Sequence, residues 1–174
     1  MLVTLTPKEM SKCNQAATLR WQLARASGVS NQRRDKGRSD ADLDLLGVKA
    51  EVAVSKVFNL DHDYSMGVDD GSDLWLDDIS VDVKATFHKG GRLLFKKRSS
   101  FKADCAVLVC QIRPDQFNVA GYASKATFLE KSKELDLGHG KGWAMDQDEL
   151  SPPNFKTAAS LNTYLEKTHS LDVI

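Results

Sequence analysis

Residues 103–112 read ADCAVLVCQI, an apolar run ten residues long. The turn-forming Arg113-Pro114-Asp115-Gln116 follows at once. A run of this length between turn signals reads as a β-strand, and its lack of polar alternation makes it a central one. The fold must therefore contain a sheet with this segment inside it. Cys105 and Cys110 both lie in the run, so packing accounts for them. With Cys13 they make three cysteines, without a CxxC or a His–Cys spacing, which excludes a disulfide scaffold or structural zinc. The 174 residues are most simply one domain, long enough to bury a real core. No stretch is long and apolar enough to span a bilayer, and MLVTLTPKEM is not a signal peptide. The expectation is a soluble, cytoplasmic protein with no membrane partner.

Around this strand the other elements follow from period and punctuation. Thr6-Pro7-Lys8-Glu9 opens a helix, with Thr6 as N-cap, Pro7 in the first turn and Glu9 completing a capping box; it runs to about Ser27 and stops at Gly28. Residues 28–40 (GVSNQRRDKGRSD) are polar, basic and without period, and read as a loop. A second helix spans about Asp42 to Phe58, capped by Asp40 or Asp42. Apolar residues line both its sides, so it is largely buried, and Glu51 sits at the edge of the main arc. Leu74-Trp75-Leu76, Asp77-Asp78 and Ile79–Thr86 read as a β-hairpin. Further strands are expected at Leu93–Lys96 and at residues 117–123 (FNVAGYA). A short helix capped by Ser124, a loop over 137–142 and a last helix at about Thr157–Thr168 complete the chain.

The hairpin carries the chemistry. Residues 69–86 (DDGSDLWLDDISVDVKAT) hold six aspartates and end on one lysine in an apolar strand. Strand side chains alternate, so Ile79, Val81, Val83 and Ala85 face a core while Ser80, Asp82, Lys84 and Thr86 face the other way. Aspartate is a poor strand residue. If the hairpin pairs about Asp77-Asp78, residues near Asp73 lie across from residues near Asp82, and two carboxylates converge beside the Lys84 ammonium. Mg²⁺ takes oxygen ligands, usually one or two carboxylates with waters and substrate phosphate. Asp73 and Asp82 would supply the carboxylates and the Val83 carbonyl a further oxygen. Lys84 would orient or deprotonate water or stabilise phosphate charge, and Glu51 would hold a water or a second ion. A solvated acidic hairpin with Lys84 in a surface salt bridge is the plainer alternative.

Charge is zero overall but uneven. Net charge is +6 over residues 1–38, −10 over 39–82, +7 over 83–113 and −3 over 114–174. An acidic centre between basic blocks suits a polyanion held around a cation. Arg33 and Arg34 in the first loop, and Lys89, Arg92, Lys96, Lys97, Arg98 and Lys102 after the hairpin, are the candidates for tracking a DNA backbone; alternating solvated faces would give the same pattern. The segment from Asp61 lacks the Gly and Glu of an EF-hand, and the four histidines lack HExxH spacing. There is no P-loop, GxGxxG or GxSxG motif.

Gly47-Val48-Lys49-Ala50-Glu51 on a helix, then Gly71-Ser72-Asp73, then Asp82-Val83-Lys84 in a strand, resembles the PD-(D/E)xK nuclease superfamily over residues 40–130 or so. Ser72 stands where that pattern has Pro, and Asp82 where Glu is commoner. The resemblance implies a restriction-endonuclease-like α/β fold, a mixed sheet of four or five strands flanked by helices, in one nuclease domain with terminal helices added. It implies a Mg²⁺-dependent DNA endonuclease, with Mn²⁺ as a substitute. Glu51, Asp73, Asp82 and Lys84 would be catalytic; Asp73, Asp82, Val83 and Glu51 would hold metal. A compact chain leaves little room for sequence recognition, so branched DNA or junctions are the expected substrates, on which a homodimer would present two sites. The competing expectation is a catalytically silent nucleic-acid-binding or interaction module.

Overall fold

A computed structural model describes residues 1–26, 28, 37–64, 71–136 and 140–153. The apolar run is the central strand: β5 (Cys105–Arg113) lies between β3 (Ile79–Thr86) and β6 (Gln116–Ser124). With β1 (Leu2–Thr4) and β2 (Leu74–Leu76) at the edges, the order is β1-β6-β5-β3-β2. The β3–β5 pair is parallel and the others antiparallel, so the five-stranded sheet is mixed. A second, antiparallel sheet has the order β4-β8-β7, from Leu93–Phe95, Lys141–Met145 and Lys133–Asp136.

The large sheet is covered on both faces, as a strand without polar alternation requires. Cys105, Val107 and Val109 join a core with Val81, Val83 and the helices α1 (Pro7–Ala26) and α2 (Asp40–Phe58). Ala106, Leu108 and Cys110 join the other core, with Leu93, Phe95, Phe101 and Phe128. Phe128 comes from α3 (Lys125–Lys131), capped by Ser124 as expected. The rings of Phe95 and Phe101 stack 4.5 Å apart, and Phe128 meets both edge-on. All three cysteines are free and buried. Among the described residues no helix is long and apolar enough to cross a membrane.

The first helix begins as its sequence indicates: Glu9 N–H donates to Thr6 Oγ1 (3.2 Å) and Thr6 N–H to the Glu9 carboxylate (2.6 Å). Gly28 has a φ of +69°. For α2 the expected cap is corrected. Ser39 caps it, accepting from the Asp42 N–H at 3.1 Å, while the Asp42 carboxylate accepts from the Ser39 N–H at 2.9 Å. Asp40 is thus the first helical residue, and it pairs with Arg25 of α1. Three short strands escaped the sequence reading. β1 has three residues and β7 is polar (KELD), so neither shows a period; β8 begins inside the segment expected to be loop. The strand expected to end at Lys96 ends at Phe95. The expected helix at Thr157–Thr168, and Ser27, lie outside the described residues.

The β5–β6 ladder slips between Leu108 and Val109, opposite Gly121 and Val119. There Tyr122 and Ser151 exchange backbone hydrogen bonds at 2.9 Å. A methyl group on Gly121 would lie 2.7 Å from both the Leu150 Cβ and the Ser151 carbonyl oxygen. Gly121→Ala is therefore expected to destabilise the fold by about 1–3 kcal/mol, through overpacking against backbone, in a urea titration.

Candidate functional site

The hairpin closes on Asp77-Asp78, with Leu76 opposite Ile79 and Leu74 opposite Val81. Asp77 takes the left-handed φ of 53° that so tight a turn requires, and aspartate tolerates it. This register continues one step beyond the ladder, where the Asp73 N–H donates to the Val81 carbonyl at 2.9 Å. Asp73 thus stands across from Asp82, within the neighbourhood expected from the sequence. Its Oδ2 accepts the Val83 N–H at 2.6 Å, so the contact recorded for Val83 uses its amide.

Asp82 and Lys84 share a face of β3, and the Lys84 Nζ donates to Asp82 Oδ1 at 2.5 Å. Asp82 is buried; Lys84 is half-exposed, with its Nζ 4.9 Å from the centre of the Phe95 ring. The core-facing set, Ile79, Val81, Val83 and Ala85, packs as expected. β3 is fixed against β5 by Asp104, whose Oδ2 accepts both the N–H and the hydroxyl of Ser80 at 2.8 and 2.6 Å.

Glu51 arrives from α2, buried rather than reaching water. Its carboxylate is gripped by Arg20 of α1, in a two-pronged pair of 2.6 and 2.8 Å. The pair raises the guanidinium pKa further. His62 stands beside them, Nε2 3.8 Å from Glu51 Oε2 and Nδ1 3.2 Å from the Ser55 hydroxyl. That Nε2 is a buried atom with no hydrogen-bond partner. Burial keeps His62 below its usual pKa, although Glu51 opposes the shift.

Arg20 thus pairs with Glu51 and Lys84 with Asp82, while Asp73 accepts from the Val83 amide. Asp73 feels both neighbouring carboxylates. Its carboxyl is pushed up to about 7, first by loss of water beneath surrounding protein, with Glu51 and Asp82 adding repulsion. The Val83 N–H and Lys84 work against the shift. The residue as a whole remains exposed, and the water it keeps tempers that repulsion; the direction is upward.

The expected phosphate-binding residues divide. Arg33 and Arg34 lie outside the described residues. Lys89, Lys96, Lys97 and Lys102 are exposed, and the Lys102 stem lies against Gly71, just before Asp73. Arg92 is exposed but pairs with Asp146. Arg98 is packed: its guanidinium lies 3.8 Å from the centre of the Trp143 ring and donates to the Ser132 carbonyl at 3.2 Å. Among the described residues no group of three or more His, Cys, Asp or Glu side chains is gathered tightly enough to enclose a metal ion. Asp73 and Asp82 fit Mg²⁺ on less, because that ion takes one or two carboxylates and keeps several waters.

Sequence reasoning missed Arg20 and passed over His62. Arg20 continues the buried stripe Cys13, Ala16, Ala17 of α1 at helical spacing, and a cation on a buried stripe signals a buried anion. Comparison of the chain with known protein families, with curated proteins and with solved structures finds no match.

Two outcomes follow for stability. Arg20→Met strands the Glu51 carboxylate and is expected to cost about 2–4 kcal/mol, with Glu51→Gln in the same chain restoring most of it, in a double-mutant cycle. Asp73 holds its proton more tightly in the folded than in the unfolded chain between the ordinary 3.8 and about 7. Stability conferred by this group therefore falls as pH rises through that window. Asp73→Asn should melt above wild type at pH 8 and together with it at pH 4, by thermal denaturation without metal.

Proposed function

We propose that the chain is a Mg²⁺-dependent DNA endonuclease of the PD-(D/E)xK type, on a restriction-endonuclease-like version of its mixed α/β fold. The single observation that supports this reading is the meeting of Asp73 with Asp82 and Lys84 across the hairpin, with Glu51 close enough to raise the Asp73 pKa. An excess carboxylate charge costs stability unless a cation offsets it. Asp73 and Asp82 would hold Mg²⁺, or Mn²⁺ in its place, with the Val83 carbonyl and Glu51 contributing nearby. The ion, when bound, would supply the positive charge that draws in a phosphodiester and acidifies water.

The chain's own groups do the remainder. Lys84, half-exposed, can turn from Asp82 to a non-bridging phosphate oxygen and stabilise the charge that builds on it as the P–O bond breaks. It can also orient the attacking water. Arg20 keeps the Glu51 carboxylate aimed, because a two-pronged pair fixes both oxygens. Lys89, Lys96, Lys97 and Lys102 are exposed and would lie along the backbone of DNA. Branched DNA or junctions remain the favoured substrates, and a homodimer would place two sites on them.

A silent nucleic-acid-binding module is the second reading. It is favoured by the two internal pairings, Arg20–Glu51 and Lys84–Asp82, which already satisfy two of the three carboxylates. Lys84→Ala separates the two. An enzyme should keep DNA and Mg²⁺ affinity, the latter unchanged or tighter as repulsion falls, yet lose at least roughly a hundredfold in single-turnover cleavage at saturating Mg²⁺. Cleavage at the wild-type rate would remove Lys84 from the mechanism. No cleavage by wild type of linear, nicked, flapped or four-way DNA would leave the silent module.

A further inference from the structure

A cavity of about 520 Å³ opens beside Lys84, on the side away from the hairpin turn. It lies beyond the C-terminal end of β3, where the strand of the parallel pair runs out into Phe87 and His88. Crevices at the carboxyl ends of parallel strands are where α/β sheets bind ligands. Leu43 and Leu46 of α2 form one wall, and Leu94 and Leu108 line it from β4 and β5. Phe87 adds an aromatic ring, held by the Arg38 guanidinium 3.7 Å from its centre. The polar side chains that line it are few: Lys84, Thr86, His88 and Arg92, with Lys84 also paired to Asp82 and Arg92 to Asp146. Volume, apolar walls and a few charged groups match a small-molecule site of roughly 300–1,000 Å³.

Lys84 belongs both to this cavity and to the candidate phosphodiester site. A ligand whose anionic group meets Lys84 therefore has its apolar body within reach of the leucine walls. A nucleotide has that form, an anionic phosphate joined to a flat, weakly polar base. We propose that this cavity receives an unstacked base of the DNA strand whose phosphate lies at Lys84, so that the substrate is an unpaired or single-stranded nucleotide rather than continuous duplex. The inference rests on the nuclease reading for the position of the phosphate. A base inside a duplex is stacked and paired, and reaching the cavity would require it to be flipped out against that stacking and pairing. A branch or flap presents such a base already free. The fatty tail of an anionic amphiphile is the other occupant that such walls would admit.

The test is binding, not cleavage. Fluorescence anisotropy with a labelled short single strand, in EDTA at pH 7.5, compares the intact strand with the same strand carrying one abasic position moved along its length. The intact strand should bind about tenfold tighter than the strand whose abasic position falls at the cavity, the scale of one stacked base. Leu94→Trp, which fills the cavity from a half-buried strand position, should remove that difference and leave abasic binding unchanged. The abasic comparison leaves the protein untouched, so it stands even if the variant misfolds. Equal affinity at every abasic position overturns the pocket, as does displacement of a bound dodecanoate without any effect of the base. A chain that cuts DNA yet ignores the abasic position keeps the nuclease reading and loses this one. Base-dependent binding without cleavage keeps the cavity and loses the nuclease.

Discussion

The register of one hairpin governs the candidate site. Leu74 pairs with Val81 and Leu76 with Ile79, which leaves only Asp77 and Asp78 for the turn. A slip of one residue would carry Asp82 and Lys84 to the face that holds Val81 and Val83, against α2. The slip is opposed from both sides. Ile79, Val81 and Val83 are buried in the core, and Asp104 ties the start of β3 to β5 through Ser80. Asp73 then closes the open end of the hairpin by accepting the Val83 N–H.

Packing brings the other charges to this register. α2 is buried on nearly every side, so Glu51 cannot reach water and must be neutralised within the protein. Arg20 does so from α1, which makes the α1–α2 contact part of the site although the two residues are far apart in the chain. Lys84 does the same for Asp82. What remains is one carboxyl, Asp73, whose charge is opposed by crowding and by its neighbours. A perturbed carboxyl of this kind is a mark of functional sites, and on the proposed reading a cation would offset it.

Much of this was legible. Alternation in Ile79–Thr86 and the apolar run of β5 carry strong period signals, and both strands, their faces and the Asp73–Asp82 apposition follow from them. The Thr6–Glu9 capping box is equally local. Short edge elements were not legible: β1 owes its structure to a partner distant in the chain, Phe117 for Val3, and the polar β7 to its pairing with β8, Glu134 with Trp143, rather than to a period of their own. The Arg20–Glu51 pair and the packing of Arg98 on Trp143 are tertiary in the same sense. A basic run such as Lys96-Lys97-Arg98 gives no sign of which member turns inward.

On the proposed reading, Asp73 and Asp82 accept a divalent cation as Asp73 gives up its proton. Isothermal titration of Mg²⁺ or Mn²⁺ at pH 6, repeated in two buffers of different ionisation enthalpy, counts that proton directly. The account predicts saturable binding with release of up to about one proton at pH 6, falling toward zero at pH 8.5 as Asp73 ionises unaided. Binding with no proton released at either pH, or no saturable binding at all, would contradict it.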